Sequence, residues 1–341
     1  MTTRLVVSVG CACGIGPEVS LAGAASLKRA TVLLVGDAGA INRASRALGI
    51  TSPARVRDPA RVTAEGVFQW QPTRSLPPRD RVLGAPTAAT GAAQLAWVDA
   101  ACDLVATGAF DAMVTGPVSK DVIARSGAPG SADFLGHTEH LQQRLGAAEV
   151  VMAFWSARLT TALVTTHLPL ANVPRAVTAV AVARATYWLA NLLHRLGHEE
   201  PRLAIAALNP HAGEGGLLGR EESRIASGIE LARARLSRAG MSARVAGPIA
   251  AETAFRLAAA GEHDGVVAMY HDQATIPMKL LAFGREVNVS LGLPIIRTSV
   301  DHGTAYDRAA RFDADSRGMR SALRLAHKLA ARARRETSGR A

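Results

Sequence analysis

Three histidines open the chemistry of this sequence. His167 follows the β-branched run Thr160 to Thr166, His211 follows Leu203 to Leu208 after Asn209 and Pro210, and His271 follows Gly265 to Tyr270. Each run reads as a strand, so three strands end in a histidine. In open α/β sheets ligands bind beyond the carboxyl ends of strands, so residues about 40 to 60 positions apart in sequence can converge there. Any one of these histidines alone is most simply a loop residue. Their shared position points instead to three imidazoles around a divalent metal, with one coordination place left for substrate.

The neighbours of the histidines are polar. Asn209 to Gly216 is a glycine-rich turn in which backbone can approach a ligand closely, and Glu221 and Glu222 then open a helix whose dipole favours carboxylates. Asp272 stands beside His271, placed to orient an imidazole or to act as a base, and Lys279 suits a phosphate or carboxylate. Gly136, His137, Thr138 and Glu139 form another polar cluster, and Thr115, Gly116, Pro117 and Lys120 follow a further strand end. The loop Gly10 to Gly16 leads into a helix near Pro17, a place suited to an anion, but its glycines lack the spacing of a dinucleotide fingerprint.

These residues need elements to hold them. Besides the three histidine-bearing strands, Leu5 to Val9, Val32 to Val35 and Ala112 to Thr115 read as strands. Helical patterns cover Pro17 to Lys28, Gly91 to Thr107, Val177 to Leu196, Glu221 to Ala239 and Ala251 to Ala259. Strands alternating with helices predict an α/β fold with a mostly parallel sheet. Pro72, Pro77, Pro78 and Pro86 mark a long loop between Gln71 and Gly91, and Arg335 to Ala341 is expected to fray.

Composition narrows the setting. With 341 residues, 48% of them hydrophobic, the chain can build one or two α/β domains. Three cysteines argue for a reducing compartment; Cys102 reads as a core thiol, and Cys11 and Cys13 as part of a packed loop, since two further soft ligands are not nearby. The +11 charge gathers towards the C-terminus, on Arg317, Arg320, Arg324, Lys328, Arg332, Arg334 and Arg335. No aromatic residues interleave there, so this is a solvated helix face compatible with an anionic substrate rather than a nucleic-acid surface. Apolar runs stop well short of the roughly 20 residues of a membrane span, so neither membrane nor nucleic acid is an expected partner and the cytoplasm is the expected location.

The motifs together resemble one family. GIGPEVS from Gly14, VTGPVSK from Val114, GHTEHL from Gly136, VTTHLPL from Val164, LNPHAGEGGLLGREE from Leu208, YHDQATIPMK from Tyr270 and NVSLGLPIIRTSVDHGTAYD from Asn288 are similar, in order, to 4-hydroxythreonine-4-phosphate dehydrogenases of pyridoxal phosphate biosynthesis. The resemblance implies an α/β, two-domain fold like isocitrate and isopropylmalate dehydrogenases, with a cleft between domains. We expect one domain from 1–130 plus 300–341 and the other, with the dimer interface, from 131–299. It implies metal ligands His167, His211 and His271 in a site completed across a homodimer interface, and substrate-binding residues His137, Thr138, Lys279, Asn288 and Arg297. His302, Gly303, Thr304 and Asp307 are expected to face NAD or NADP. Lys279, Asp272 and Glu252 are the candidates for proton transfer, and zinc, magnesium or cobalt for the metal.

The implied reaction oxidises 4-phosphohydroxythreonine to a β-keto acid that loses CO2 to give 3-amino-2-oxopropyl phosphate. A paralogue acting on 4-phosphothreonate or a related phosphorylated hydroxy acid keeps every motif, and a metal-dependent hydrolase keeps the histidines. Some positions depart from the family pattern. Cys11 replaces an usual Asp, Leu135 a Pro, Glu252 an Asp and Ala274 a Gly, while Tyr306 and Ala310 are also unusual. None removes a proposed metal ligand; Cys11 and Tyr306 bear on substrate or cofactor fit.

Overall fold

Parallel strands covered by helices must be apolar on both faces, and Leu5 to Val7 and Val32 to Val35 are at most 1% exposed. The computed structural model describes residues 2–338. The chain divides into two compact units, Met1–Ala148 with Leu293–Ala341, and Glu149–Gly292.

The first unit begins with β1 (Thr3–Ser8), α1 (Gly16–Ala25), β2 (Ala30–Val35), α2 (Ala38–Leu48), β3 (Ala54–Arg55), β4 (Gly66–Trp70), α3 (Ala88–Ala106), β5 (Ala112–Thr115), α4 (Lys120–Ala124) and α5 (His137–Arg144). The second holds β6 (Val151–Trp155), β7 (Thr160–Leu163), α6 (Val173–Ala176), α7 (Ala179–Leu196), β8 (Arg202–Ala206), α8 (Glu221–Arg238), β9 (Arg244–Ile249), α9 (Ala251–Ala259), β10 (Gly265–Ala268), α10 (His271–Ala282) and β11 (Val287–Leu291). The chain then returns to the first unit for β12 (Ile296–Ser299) and α11 (Arg317–Ser338).

In the first unit the strand order is β3-β4-β2-β1-β5-β12, with every pairing parallel. Ser8 and Ser299 both pair with Thr115, so the loops after β1, β5 and β12 leave from one edge. In the second unit the order is β11-β6-β7-β10-β8-β9; β6 is antiparallel to both neighbours, and β7, β10, β8 and β9 run parallel. The carboxyl ends of β7, β10 and β8 therefore share an edge. Its core gathers Phe154, Leu163, Ala204, Val266, Phe255 and Met278 between sheet and helices.

The unit boundaries differ from those expected at 130 and 300. Helix α5 joins the first unit through His140, whose Nε2 lies 2.6 Å from Asp99 Oδ1, and through the Arg144–Asp103 ion pair at 2.7 Å. Strand β12 joins it through its parallel pairing with β5. Helix α10 falls outside the helical patterns read from the sequence, and Pro277 lies inside it, removing one backbone donor. In α11 the buried Met319, Ala322, Leu323, Ala326, Leu329 and Ala330 recur at helical spacing and leave the arginines on the other face. That helix continues through Arg335 to Ser338, and residues 339–341 of the segment expected to fray lie outside the described residues. Among the described residues no single helix is long and apolar enough to cross a membrane.

Candidate functional site

Hydrogen bonds fix the strand ends of the second unit to one another. Thr165 Oγ1 donates to Met269 O at 2.7 Å, and Val164 N to Ala268 O at 2.8 Å, tying the end of β7 to the end of β10. The buried Gln273 accepts from Met269 N at 2.7 Å and donates to Ala207 O at 2.9 Å, tying β10 to β8. His167, His271 and His211 leave from these three fastened ends. A buried amide bonded through both its oxygen and its nitrogen specifies the register of the loops it joins.

The loop carrying His211 has a second anchor. Glu222 Oε1 accepts from Leu208 N at 3.1 Å and Asn209 N at 2.8 Å, and the Asn209 amide donates to Glu221 at 2.8 Å and Glu222 at 3.0 Å. The Asn209 bond, followed by backbone bonds, holds the Glu221 carboxyl below the usual carboxylate range. His211, Ala212 and Glu214 have φ of 51°, 53° and 44°, a left-handed conformation that side chains other than glycine adopt at a cost of about 1–3 kcal/mol each. The helical dipole role expected of Glu221 and Glu222 is thus joined by a loop-holding one.

Two of the three histidines are brought together. The His167 and His271 rings lie 5.4 Å apart between centroids, tilted by 43°. His271 Nδ1 is 2.7 Å from Asp272 Oδ1, an arrangement that orients the ring and leaves Nε2 for a ligand. His211 is exposed, and the nearby Glu252 carboxyl is held low chiefly by its hydrogen bonds with Thr253. No group of three His, Cys, Asp or Glu side chains is gathered at metal-binding distance among the described residues. The donor chemistry of the facing pair, two imidazoles with one braced by a carboxylate, fits a divalent cation. Lys279 is exposed on α10, and Asn288 is half-buried on β11 with its Oδ1 buried and unpartnered among the described residues.

The remaining expected substrate residues lie in the first unit. Arg297, 3% exposed on β12, donates through Nη2 and Nε to Thr115 Oγ1 at 2.6 and 3.2 Å. Burial lowers its guanidinium pKa to about 10, against the charge of Glu139. His137 begins α5 beside the buried Thr138; burial, then the charges of Arg297, His140 and Lys120, press its imidazole well below the ordinary range. In the sequence Thr115 and Lys120 follow a strand end, with no partner evident for either. The signal was there, since Val114 to Lys120 and Asn288 to Asp307 are both family motifs, but only strand pairing puts Thr115 beside Arg297.

The stretch expected to face the cofactor packs on the N-terminal loop. Ile15 N donates to Thr304 O at 3.0 Å, and Tyr306 Oη lies 3.4 Å from Cys11 Sγ. Two of the residues that depart from the family pattern are therefore neighbours. Cys11 and Cys13 are free and fully buried, and a hydrogen bond between them lowers the Cys11 thiol pKa. His302 has Nε2 buried and without a hydrogen-bond partner among the described residues, while Gly303 and Asp307 are exposed. At Gly14 an added Cβ sits 2.5 Å from Thr304 O, a backbone atom that cannot swing aside. Gly14→Ala should therefore cost about 1–3 kcal/mol of stability. A thermal melt checks this, and an unchanged melting temperature would show that the loop yields freely.

Comparison with known proteins agrees with this layout. The family model described as "Pyridoxal phosphate biosynthetic protein PdxA" matches residues 28–326. A 4-hydroxythreonine-4-phosphate dehydrogenase of Geobacter metallireducens is 42% identical, covering 96% of this chain and 95% of that protein. The crystal structure of the 4-hydroxythreonine-4-phosphate dehydrogenase from Klebsiella pneumoniae superposes with a TM-score of 0.82 at 32% identity, covering 96% of this chain and all of that one. A terephthalate 1,2-cis-dihydrodiol dehydrogenase from Burkholderia xenovorans is similar at a TM-score of 0.68 and 30% identity, covering 96% and 98%. Motifs, strand-end geometry and full-length similarity converge: the chain belongs to the PdxA family of pyridoxal phosphate biosynthetic proteins.

Proposed function

We propose that this protein is a metal-dependent NAD or NADP dehydrogenase of 4-phosphohydroxythreonine, acting in the cytoplasm as a homodimer. The carrying observation is the facing pair His167 and His271, with Asp272 bracing one ring, in a chain about 40% identical to named 4-hydroxythreonine-4-phosphate dehydrogenases. Bound by these imidazoles and His211, a divalent zinc, magnesium or cobalt ion supplies Lewis-acid polarisation of the substrate hydroxyl, and the nicotinamide supplies a hydride acceptor. Lys279, Asp272 and Glu252 are the groups offered for the hydroxyl proton. His137, Thr138, Asn288 and Arg297 hold the polar and anionic ends of the substrate, and His302 to Asp307 face the cofactor. The alcohol carbon loses a hydride and its oxygen a proton, and the β-keto acid then releases CO2.

Exposed apolar side chains support the homodimer. Leu168 and Leu170 follow His167, Leu217 and Leu218 follow His211, and Ile276, Leu280 and Phe283 follow His271, with Leu217 and Leu280 more than 80% exposed. Such residues clustered in sequence after each ligand suit a covering partner subunit. A partner would also bring a further ligand to a site where no third ligand is gathered among the described residues.

The test is NADH absorbance with 4-phosphohydroxythreonine and 4-phosphothreonate side by side, with metal supplied and then chelated. Metal-dependent NADH formation preferring the former is expected. Preference for the latter shifts the substrate to the paralogue, and metal-dependent hydrolysis without NADH overturns the dehydrogenase.

A further inference from the structure

The first unit holds a cluster of groups that exceeds what its own packing needs. Arg297 is buried and hydrogen-bonded to the buried Thr115. Lys120 opens α4, and its Nζ and Cε each lie 3.2 Å from where a Cβ on Gly136 would be, with Glu139 Oε2 at 2.9 Å from the same point. The ammonium is thus packed at the start of α5, a helix whose N-cap Gly136 supplies no side-chain cap. His137 Nε2 is buried there with no hydrogen-bond partner among the described residues. Arg297, Lys120, the buried imidazole of His137 and the carboxylate of Glu139 thus lie close enough to act on one another at a helix start. Helix starts and guanidinium groups both favour anions, and a phosphate monoester brings between one and two negative charges at neutral pH where a carboxylate brings one.

We infer that Lys120 is a further substrate-binding residue, completing with Arg297, Thr115 and His137 a pocket for the phosphate group of the substrate. The inference rests on the reading of the substrate as a phosphorylated hydroxy acid. Arg297 supplies fixed donors braced by Thr115, and Lys120 supplies a charge on a flexible stem that lies beside Gly136. A side chain at Gly136 would occupy the ground on which the Lys120 stem and the Glu139 carboxylate lie, and the backbone there, at φ 159° and ψ 171°, is one that essentially only glycine adopts.

The test compares Lys120→Met and Lys120→Arg in the full-length protein. Lys120 is exposed, so neither change removes core packing. Lys120→Met should lower kcat/KM for 4-phosphohydroxythreonine by about 10- to 100-fold, the range of a charge-assisted hydrogen bond, mainly through KM. Lys120→Arg should recover most of the loss. For the same amino acid without its phosphate, kcat/KM should be equally low in both proteins, a pattern that a merely structural lysine does not produce. Binding of inorganic phosphate, followed by calorimetry, should weaken by a similar factor in Lys120→Met. Phosphate binding that weakens in a protein without dehydrogenase activity keeps the pocket and removes the proposed reaction. Dehydrogenase activity with the phosphorylated KM unchanged in Lys120→Met overturns the pocket and leaves the reaction standing.

Discussion

His271→Ala should lower metal-dependent turnover by about a thousandfold or more, equivalent to about 4 kcal/mol of transition-state stabilisation. The ring begins α10 with its side chain 36% exposed, packed T-shaped on Phe154 with centroids 6.5 Å apart and facing His167. Its removal leaves the fastening of the strand ends by Thr165 and Gln273 intact, so stability should change by no more than about 1 kcal/mol. Kinetics at saturating metal, with thermal melts, separate the two effects. Adding zinc or cobalt should raise the melting temperature of the parent protein, because a ligand that binds only the folded state stabilises it, and should do so far less in the variant. Turnover and metal stabilisation both unchanged would remove His271 from the ligand set.

Arg297→Met should separate binding from stability. Burial works against the guanidinium charge, as its pKa of about 10 shows, so an apolar side chain of similar volume should leave the melting temperature unchanged or raise it. Catalysis should suffer, with kcat/KM for the phosphorylated substrate falling by about 100-fold or more as a fixed, charged donor is lost. A protein that pays for an ionic side chain in stability and regains it in binding fits a functional site better than a structural one. The opposite pattern, a lower melting temperature with kinetics preserved, would make Arg297 a core-specifying residue.

The α/β class and the strand-end position of the histidines were legible because those strands are short, β-branched and buried on both faces, so their pattern is strong in the sequence. Helix α9 was read at its observed ends, and α7 and α8 within two residues. Strand ends were less legible. The run to Thr166 was read as strand, whereas β7 ends at Leu163 and irregular pairing continues through Thr165, because a hydrogen-bonded loop has the same residue types as a strand. Helix α10 carries Pro277 in its interior, which weakens the helical signal of its sequence. The antiparallel β6 and β11 carried no separate signal, since strand direction depends on distant partners.

Within the site, residue types showed where ligands belong but not which side chains meet. That His271 leans on Asp272 follows from adjacency; that Arg297 meets Thr115 depends on pairing across 182 positions. The fold itself does not choose the substrate, since a dihydrodiol dehydrogenase shares it. The choice falls to individual side chains, and the two cations near His137 favour a phosphorylated one.

The most direct test of the account is product stoichiometry with 4-phosphohydroxythreonine and NAD in the metal-loaded protein. NADH and CO2 should form in equimolar amounts, and both should cease when the metal is chelated and return when it is restored. Release of inorganic phosphate without NADH, or NADH formation indifferent to chelation, would contradict it.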